Sequence, residues 1–119
     1  MTFENIKTAF LQKKKSFDMK SLKKDLRILG SPENLAATAG DLDGEIDLVW
    51  EPVKGANSYV IQYSRSDKEP GNWVLDDVVF RSSYTVSRLK SGHKYWFRVA
   101  AAGSKGQGHW SEPISKKAP

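Results

Sequence analysis

The stretch KYWFRVAA, residues 94–101, decides how this chain folds, because bulky apolar residues occupy every second position. Side chains two residues apart in an extended strand point to the same face. Tyr95, Phe97 and Val99 therefore share one face, and Trp96 and Arg98 share the other. The stretch predicts a β-strand that buries its first face in a core and leaves an aromatic, basic face outside.

Short segments with the same two-residue alternation follow one another from Ser31 onward. Glycine and proline separate them, as in Pro52–Gly55, Pro70-Gly71 and Ser91-Gly92. The predicted strands cover residues 32–38, 45–50, 58–64, 72–80, 83–87 and 94–101 and a last segment after Trp110. Because no helix is needed between them, they predict a mainly β chain, a seven-stranded immunoglobulin-like antiparallel sandwich.

Residues 1–30 form a segment of a different kind, which we call the leader. It holds eight basic and three acidic residues, whereas the other 89 residues hold eleven of each, so the net charge of +5 belongs to the leader. Its apolar residues recur at helical spacing in two stripes: Phe3, Ile6 and Phe10, and Leu22, Leu26 and Leu29. Gly30 and Pro32 favour a helix end. We expect two short helices in residues 1–30 and a β domain in residues 31–119.

Several motifs of the β domain occur in an order and at a spacing that identify a family. They are Pro32–Leu35, Ile46–Trp50, Tyr59–Tyr63, Tyr84–Val86, Leu89–Gly92, Tyr95–Val99 and Gly108–Pro113. This part of the chain resembles a fibronectin type III domain, which implies an immunoglobulin-like sandwich. The one departure is Ser91, where the family usually has a proline that stiffens the turn. A helical part followed by such a domain is also similar to the layout of short bacterial proteins.

The resemblance and the alternation together predict the core. Trp50 resembles the family's tryptophan between the two sheets, and Tyr95 resembles the tyrosine whose hydroxyl bonds back to the chain near Leu89. The predicted core residues are Trp50, Tyr59, Ile61, Tyr63, Leu89, Tyr95, Phe97 and Val99. Large apolar and aromatic residues in such positions stabilise the core by packing. We therefore expect none of them to belong to a binding or catalytic site.

The sequence lacks the groups that common catalytic and metal centres need. It has no cysteine, which excludes thiolate catalysis and cysteine-ligated metals. His93 and His109 lie at opposite ends of a predicted strand, roughly 20 Å apart, too far to share a metal or a proton. The acidic residues at alternate positions of 41–47 lack the EF-hand pattern, which favours a solvated turn over a calcium loop. We expect no enzymatic activity, no cofactor and no metal.

The outward face of the 94–101 strand predicts a partner surface. Trp96 and Arg98 lie on it, and Trp110 on a neighbouring strand can stack on Arg98 as a cation–π pair. We expect Trp96 and Trp73 to leave a large aromatic area in water, as interface residues often do. The alternative is an Arg–Trp ladder that satisfies itself and has no partner.

The segment Ala102–His109 contains three glycines and a lysine and is predicted to be a flexible loop. It has no Arg-Gly-Asp sequence, so the integrin-binding role of some family members does not carry over. It also lacks the strand-to-helix context of a phosphate-binding loop.

These features predict a non-catalytic protein-interaction or spacer module. Its partner is an unidentified protein, or a second copy of the chain that packs against the leader stripes. One alternative is binding of nucleic acid or an anionic surface through the leader lysines, which predicts a steep salt dependence. Another is a carbohydrate-associated accessory module that uses Trp73, Trp96 and Trp110.

The cellular location is predicted only from the targeting features that the sequence lacks. No apolar run reaches the roughly 18 residues that a membrane span needs, and the leader lacks the pattern of a secretory signal. We therefore expect a cytoplasmic protein, or an extracellular one if a signal segment has been removed.

Overall fold

The computed structural model describes residues 29–119. The predicted leader helices lie in residues 1–28, outside the described residues, together with Phe3, Ile6, Phe10, Leu22 and Leu26. The described part is mainly β and consists of strands that pair only in antiparallel fashion. The predicted fold class, an immunoglobulin-like antiparallel sandwich, is confirmed.

Eight strands build the sandwich. They are β1 (Ala36–Ala39), β2 (Ile46–Val49), β3 (Ser58–Arg65), β4 (Val74–Val79), β5 (Ser83–Val86), β6 (Lys94–Gly103), β7 (Gly106–Trp110) and β8 (Ile114–Lys117). The small sheet has the order β1-β2-β5, and the large sheet has the order β4-β3-β6-β7, with β8 also paired to β6. Strand β6 therefore lies in the middle of the large sheet.

The predicted count of seven strands is wrong by one, because β7 forms mostly from residues that were predicted to be a loop, ahead of the last predicted strand. Strand β7 pairs with the end of β6 and β8 with its beginning. Between them Ser111 is buried, and its backbone N–H donates to the carbonyl of Val99 over 2.8 Å while its hydroxyl accepts from the Val99 N–H over 3.0 Å. Pro113 then interrupts the pairing because it has no N–H to donate.

The segment Ala102–His109 is not the flexible loop that its glycines predict. Strand β6 continues to Gly103, which pairs with Gly106 at the start of β7, so only Ser104 and Lys105 form the turn. Gly106 has a φ of 114°, a conformation that L side chains rarely adopt. The glycines thus close a tight hairpin.

The core lies between the sheets and follows the predicted alternation. Ile46, Leu48 and Trp50 point inward from β2 and its extension, opposite the inner side chains of β6. Of the residues predicted for the core, six are buried (Trp50, Tyr59, Ile61, Tyr95, Phe97 and Val99) and two are partly buried against the others (Tyr63 and Leu89). Burying a large apolar side chain contributes roughly 1.5–3 kcal/mol, so this set dominates the stability of the domain.

The tyrosine hydroxyls in the core bond to the backbone. The Lys90 N–H donates to the Tyr95 hydroxyl over 2.9 Å, which is the bond near Leu89 that the resemblance implies. The Val53 N–H donates to the Tyr59 hydroxyl over 2.9 Å, and the Tyr59 ring packs edge-on against Trp50 with centroids 5.4 Å apart. Each tyrosine therefore buries its ring and satisfies a turn N–H that would otherwise lack a partner.

One end of the sandwich is held by a network around Gly44. The Gly44 N–H donates to the carbonyl of Pro119 over 2.9 Å, and the Leu89 N–H donates to the carbonyl of Gly44 over 3.0 Å. The Ser91 hydroxyl donates to the same Pro119 carbonyl over 2.7 Å. Ser91 therefore anchors the turn with a hydrogen bond where the family's proline would stiffen it.

Leu29, the last member of the second leader stripe, packs against the sandwich. It is partly buried against the core, with its methyl groups between Gly55 and Gly103 and its backbone against Gly108. A Cβ at position 108 would lie 2.6 Å from the carbonyl oxygen of Leu29. Gly30 does not adopt the left-handed conformation of a glycine helix cap, and the predicted helix itself lies outside the described residues. Leu29 therefore packs with the β domain.

We expect Gly44→Ala to lower the free energy of unfolding by about 2 kcal/mol or more. Gly44 has a φ of 80°, and a Cβ there would lie 2.6 Å from the carbonyl oxygen of Leu89. Gly92→Ala is the matched control, because Gly92 has a φ of 85° but nothing within 4 Å of a Cβ. Chemical denaturation should show a clearly smaller loss for the control, and equal losses would contradict the close approach at Gly44.

Candidate interaction surface

The outer face of the large sheet brings together residues from all five of its strands. Residues that pair across antiparallel strands share a face, and the register pairs Arg98 with Gln62, Gln62 with Leu75, and Val60 with both Ala100 and Val78. We call this surface the large-sheet face. It contains Val60, Gln62, Trp73, Leu75, Val78, Lys94, Trp96, Arg98, Trp110 and Lys117.

Arg98 is clamped between two tryptophans at the centre of this face. Its guanidinium carbon lies 4.4 Å from the ring centroid of Trp73 and 4.1 Å from that of Trp110. Its Nε donates to Oε1 of Gln62 over 2.8 Å. Burial in this clamp lowers the pKa of Arg98, because the charged form loses contact with water. The structure therefore brings together three of the four residues predicted for the partner surface.

Trp96 lies beside the clamp and not in it. The Nζ of Lys94 lies 4.9 Å from its ring centroid, and its Nε1 is buried without a hydrogen-bond partner among the described residues. Trp96 and Trp73 are both half-buried, so the expectation that they leave a large aromatic area in water is wrong. Lys94 covers the ring of Trp96, and Arg98 covers the ring of Trp73. This arrangement matches the alternative of an Arg–Trp ladder whose members contact one another.

The exposed apolar area of this face comes from β4, which sequence reasoning did not single out. Leu75 is 58% exposed and Val78 is 42% exposed, next to half-buried Val60. The irregular pairing at Ile61 and Gln62 shifts the register of β4, so simple alternation does not identify its outward residues. The sequence feature that could have identified these residues is the high content of valine and leucine in β4, which is an edge strand of the large sheet.

The charged groups of the large-sheet face are all basic. They are Arg98, Lys94 and Lys117, and the last two are directly opposite each other on β6 and β8. The outward positions on β3, β4 and β7 carry no acidic residue at the pairs named above. The face therefore combines an apolar patch with a rim of positive charge.

A second surface feature lies on the open side of the sandwich, between the edge strands β4 and β5. Tyr84 of β5 lines a crevice there together with Asp76 of β4. Burial, together with the negative charges of Asp76 and Asp77, raises the pKa of Tyr84 well above its ordinary value.

The acidic and histidine side chains of the described residues form no metal-binding cluster. In residues 29–119 no group of three or more histidine, aspartate or glutamate side chains converges as metal ligands would. The acidic residues of positions 41–47 include Glu45, whose carboxylate instead accepts from the Leu42 N–H over 3.3 Å. In the same range no helix has the length and hydrophobicity required to span a bilayer.

The comparison with known proteins agrees with this architecture. A family profile for the fibronectin type III domain matches residues 30–117. The chain belongs to the fibronectin type III family. Fibronectin type III domains are generally non-catalytic modules that bind other proteins or act as spacers.

Relatives of this fibronectin type III domain include parts of much larger proteins. Neogenin of Rattus norvegicus and neogenin of Homo sapiens are each 33% identical over 76 residues, which is 59% of this chain but only 6% and 5% of their own lengths. What those proteins do as a whole therefore does not transfer to this chain.

Solved structures show the same fold. The FN5 domain of Drosophila Lar is 28% identical, with 77% of this chain and 98% of that chain covered and a TM-score of 0.64. An Fn3-like protein from Clostridium thermocellum is 23% identical, with 76% and 94% covered and a TM-score of 0.67. The second similarity, at that identity, supports the fold alone.

We expect Arg98→Lys to lower the free energy of unfolding of this fibronectin type III domain by about 1–2 kcal/mol. The lysine ammonium group is not planar, so it cannot stack between two indoles as the guanidinium does. Lysine also lacks the Nε–H that donates to Gln62. Arg65→Lys is the control, because Arg65 is an exposed arginine at the end of β3. Chemical denaturation followed by tryptophan fluorescence measures both, and matching values would contradict the clamp.

We expect the stability of the domain to fall at alkaline pH in a way that depends on Tyr84. The unfolded chain ionises this tyrosine near its ordinary pKa of about 10, whereas the folded chain holds the proton to higher pH. The unfolded state is therefore favoured as the pH rises above that value. Tyr84→Phe should flatten the decline between pH 9 and 11, and parallel curves for the two proteins would refute this origin.

Proposed function

We propose that the chain is a non-catalytic protein-interaction module that binds a polypeptide partner through the large-sheet face. The observation that carries this proposal is the exposed pair Leu75 and Val78 beside the Arg98 clamp. Exposed apolar side chains next to fixed aromatic and arginine groups are typical of interface centres. Family membership supports the same class of function.

The clamp makes this surface suitable for binding because it is already ordered. Trp73, Arg98 and Trp110 hold one another in place, so binding of a partner costs little further side-chain entropy at these residues. Leu75 and Val78 still expose about half of their surface, and covering both would contribute about 2 kcal/mol, a factor of roughly 30 in affinity. Lys94 and Lys117 at the rim favour a partner that carries carboxylates around an apolar centre.

The other functions considered from the sequence receive less support. A carbohydrate platform needs free indole faces, whereas Arg98 occupies one face of both Trp73 and Trp110. Self-association through the leader stripes and binding of nucleic acid or an anionic surface through the leader lysines concern residues 1–28. They stay predictions.

The proposal is tested by placing a photoreactive amino acid at Leu75 and irradiating cells that naturally produce the protein. We expect one discrete protein adduct, because Leu75 lies in the apolar centre and its substitution should not disturb the core. The double variant Leu75→Ser/Val78→Ser should bind the protein recovered in that adduct roughly 30-fold more weakly.

The matched control is the same photoreactive residue at Lys54, which is exposed in the turn before β3 and away from the large-sheet face. It should give no adduct of the same mass. The proposal fails if Leu75 gives no adduct, or if both positions capture the same protein.

A further inference from the structure

No strand among residues 29–119 covers the outer face of the small sheet, and its charge is opposite to that of the large-sheet face. Along β2 and its two extensions, alternate residues point outward. They are Glu45, Asp47, Val49 and Glu51. Val49 is 51% exposed in the middle of this series. We call this surface the small-sheet face.

The three carboxylates of this face accept hydrogen bonds from neutral donors. The Leu42 N–H donates to Glu45 over 3.3 Å, and the Thr85 hydroxyl donates to Asp47 over 2.7 Å. The Asn34 side-chain amide donates to Glu51 over 2.7 Å. A neutral donor leaves the negative charge of its acceptor in place, so these bonds orient the carboxylates without neutralising them.

The paired positions of the neighbouring strands add no positive charge to this face, and Arg81, just before β5, is the one basic residue that shares a surface region with Ser83 and Thr85. The register places Ala36, Thr38, Ser83 and Thr85 beside Val49 and Asp47, and all four are uncharged. The result is a shallow, negatively charged surface with small side chains at both sides and an apolar centre. Its natural complement is a positively charged segment with apolar residues of its own.

Residues 1–28 of this chain are such a segment. They carry all the excess positive charge of the protein, together with the apolar stripes described above. Charge complementarity with the small-sheet face is therefore available within one molecule, whereas the large-sheet face would repel the same lysines.

The point where these residues join the domain lies near one end of the small-sheet face. Leu29 packs at one end of the sandwich, against Gly55 and against Gly103 and Gly108 of the β6–β7 hairpin, and the chain then enters β1, the edge strand of the small sheet. The Glu51 N–H donates to the carbonyl of Glu33 over 3.0 Å, so the segment that leads out of the leader lies beside one end of the small-sheet face.

Residues 1–28 are long enough to extend along the whole small-sheet face. The six residue steps from Glu45 to Glu51 span about 20 Å at the rise of a β-strand. A helical segment of 28 residues is about 42 Å long, so it can cover this distance even when divided into two shorter helices. We propose that residues 1–28 dock in cis along the small-sheet face, with lysines over Glu45, Asp47 and Glu51 and apolar side chains over Val49.

Zero-length carbodiimide cross-linking of the full chain tests this directly, since it joins a lysine amine to a carboxylate only when the two are in contact. An equal mixture of 14N- and 15N-labelled protein distinguishes links within a chain from links between copies. We expect links from lysines of residues 7–24 to Glu45, Asp47 and Glu51 in which both peptides carry the same label. Raising the salt from 50 to 500 mM should reduce their yield severalfold.

Each other result overturns the proposal. Links of mixed label would show that a second copy occupies the small-sheet face. Links mainly to control carboxylates such as Asp67 and Glu69, or no leader links at all, would show that the segment does not dock there.

A second measurement uses variants. Glu45→Gln/Asp47→Asn/Glu51→Gln should make trypsin cleave after Lys20, Lys24 and Arg27 severalfold faster, because the neutralised face no longer holds the segment. The matched control is Asp67→Asn/Glu69→Gln/Glu112→Gln, which removes the same charge elsewhere. Equal cleavage rates for the two triple variants contradict cis docking.

Discussion

The structure depends on the two-sided packing of strand β6. It pairs with β3 on one side and with β7 and β8 on the other, so it has no free edge. Its inward residues Tyr95, Phe97 and Val99 form much of the core. The same alternation forces Trp96 and Arg98 outward, where Arg98 becomes the centre of the tryptophan clamp. The core and the proposed interaction surface are therefore two faces of one strand, and a shift of register by one residue would destroy both.

The sandwich also separates charge between its two outer surfaces. The large-sheet face carries Lys94, Arg98 and Lys117, and the small-sheet face carries Glu45, Asp47 and Glu51. Residues 29–119 are close to neutral overall, so this arrangement produces a dipole and little net charge. A protein partner on the first face and the leader on the second would not compete, because the core lies between them. Both contacts would weaken with salt, since exposed charges are screened over about 8 Å at physiological ionic strength.

Much of the fold was predictable, and the errors have local causes. The alternation identified the core strands, because a side chain that faces the opposite sheet must be apolar. The glycines of Ala102–His109 suggested flexibility, but glycine serves a tight hairpin equally well when the flanking residues find partners on a neighbouring strand. The division between β7 and β8 followed from a side chain-to-backbone bond of Ser111, which no periodicity reveals. Leu29 fitted a helical stripe by spacing, yet glycines at three distant positions leave room for it on the sandwich.

The sequence by itself determined the class of fold, the residues of the core, the pairing of Arg98 with Trp110, and the concentration of positive charge before residue 30. These follow from periodicity, side-chain type and the count of charges, which are local properties. Only the tertiary structure decided that Trp73 completes the clamp from 25 positions before Arg98, that Leu75 and Val78 are the exposed apolar residues, and that the carboxylates of β2 form one face. Those facts depend on the register between strands and on an irregularity within one pair, and register is set by packing of the whole sandwich.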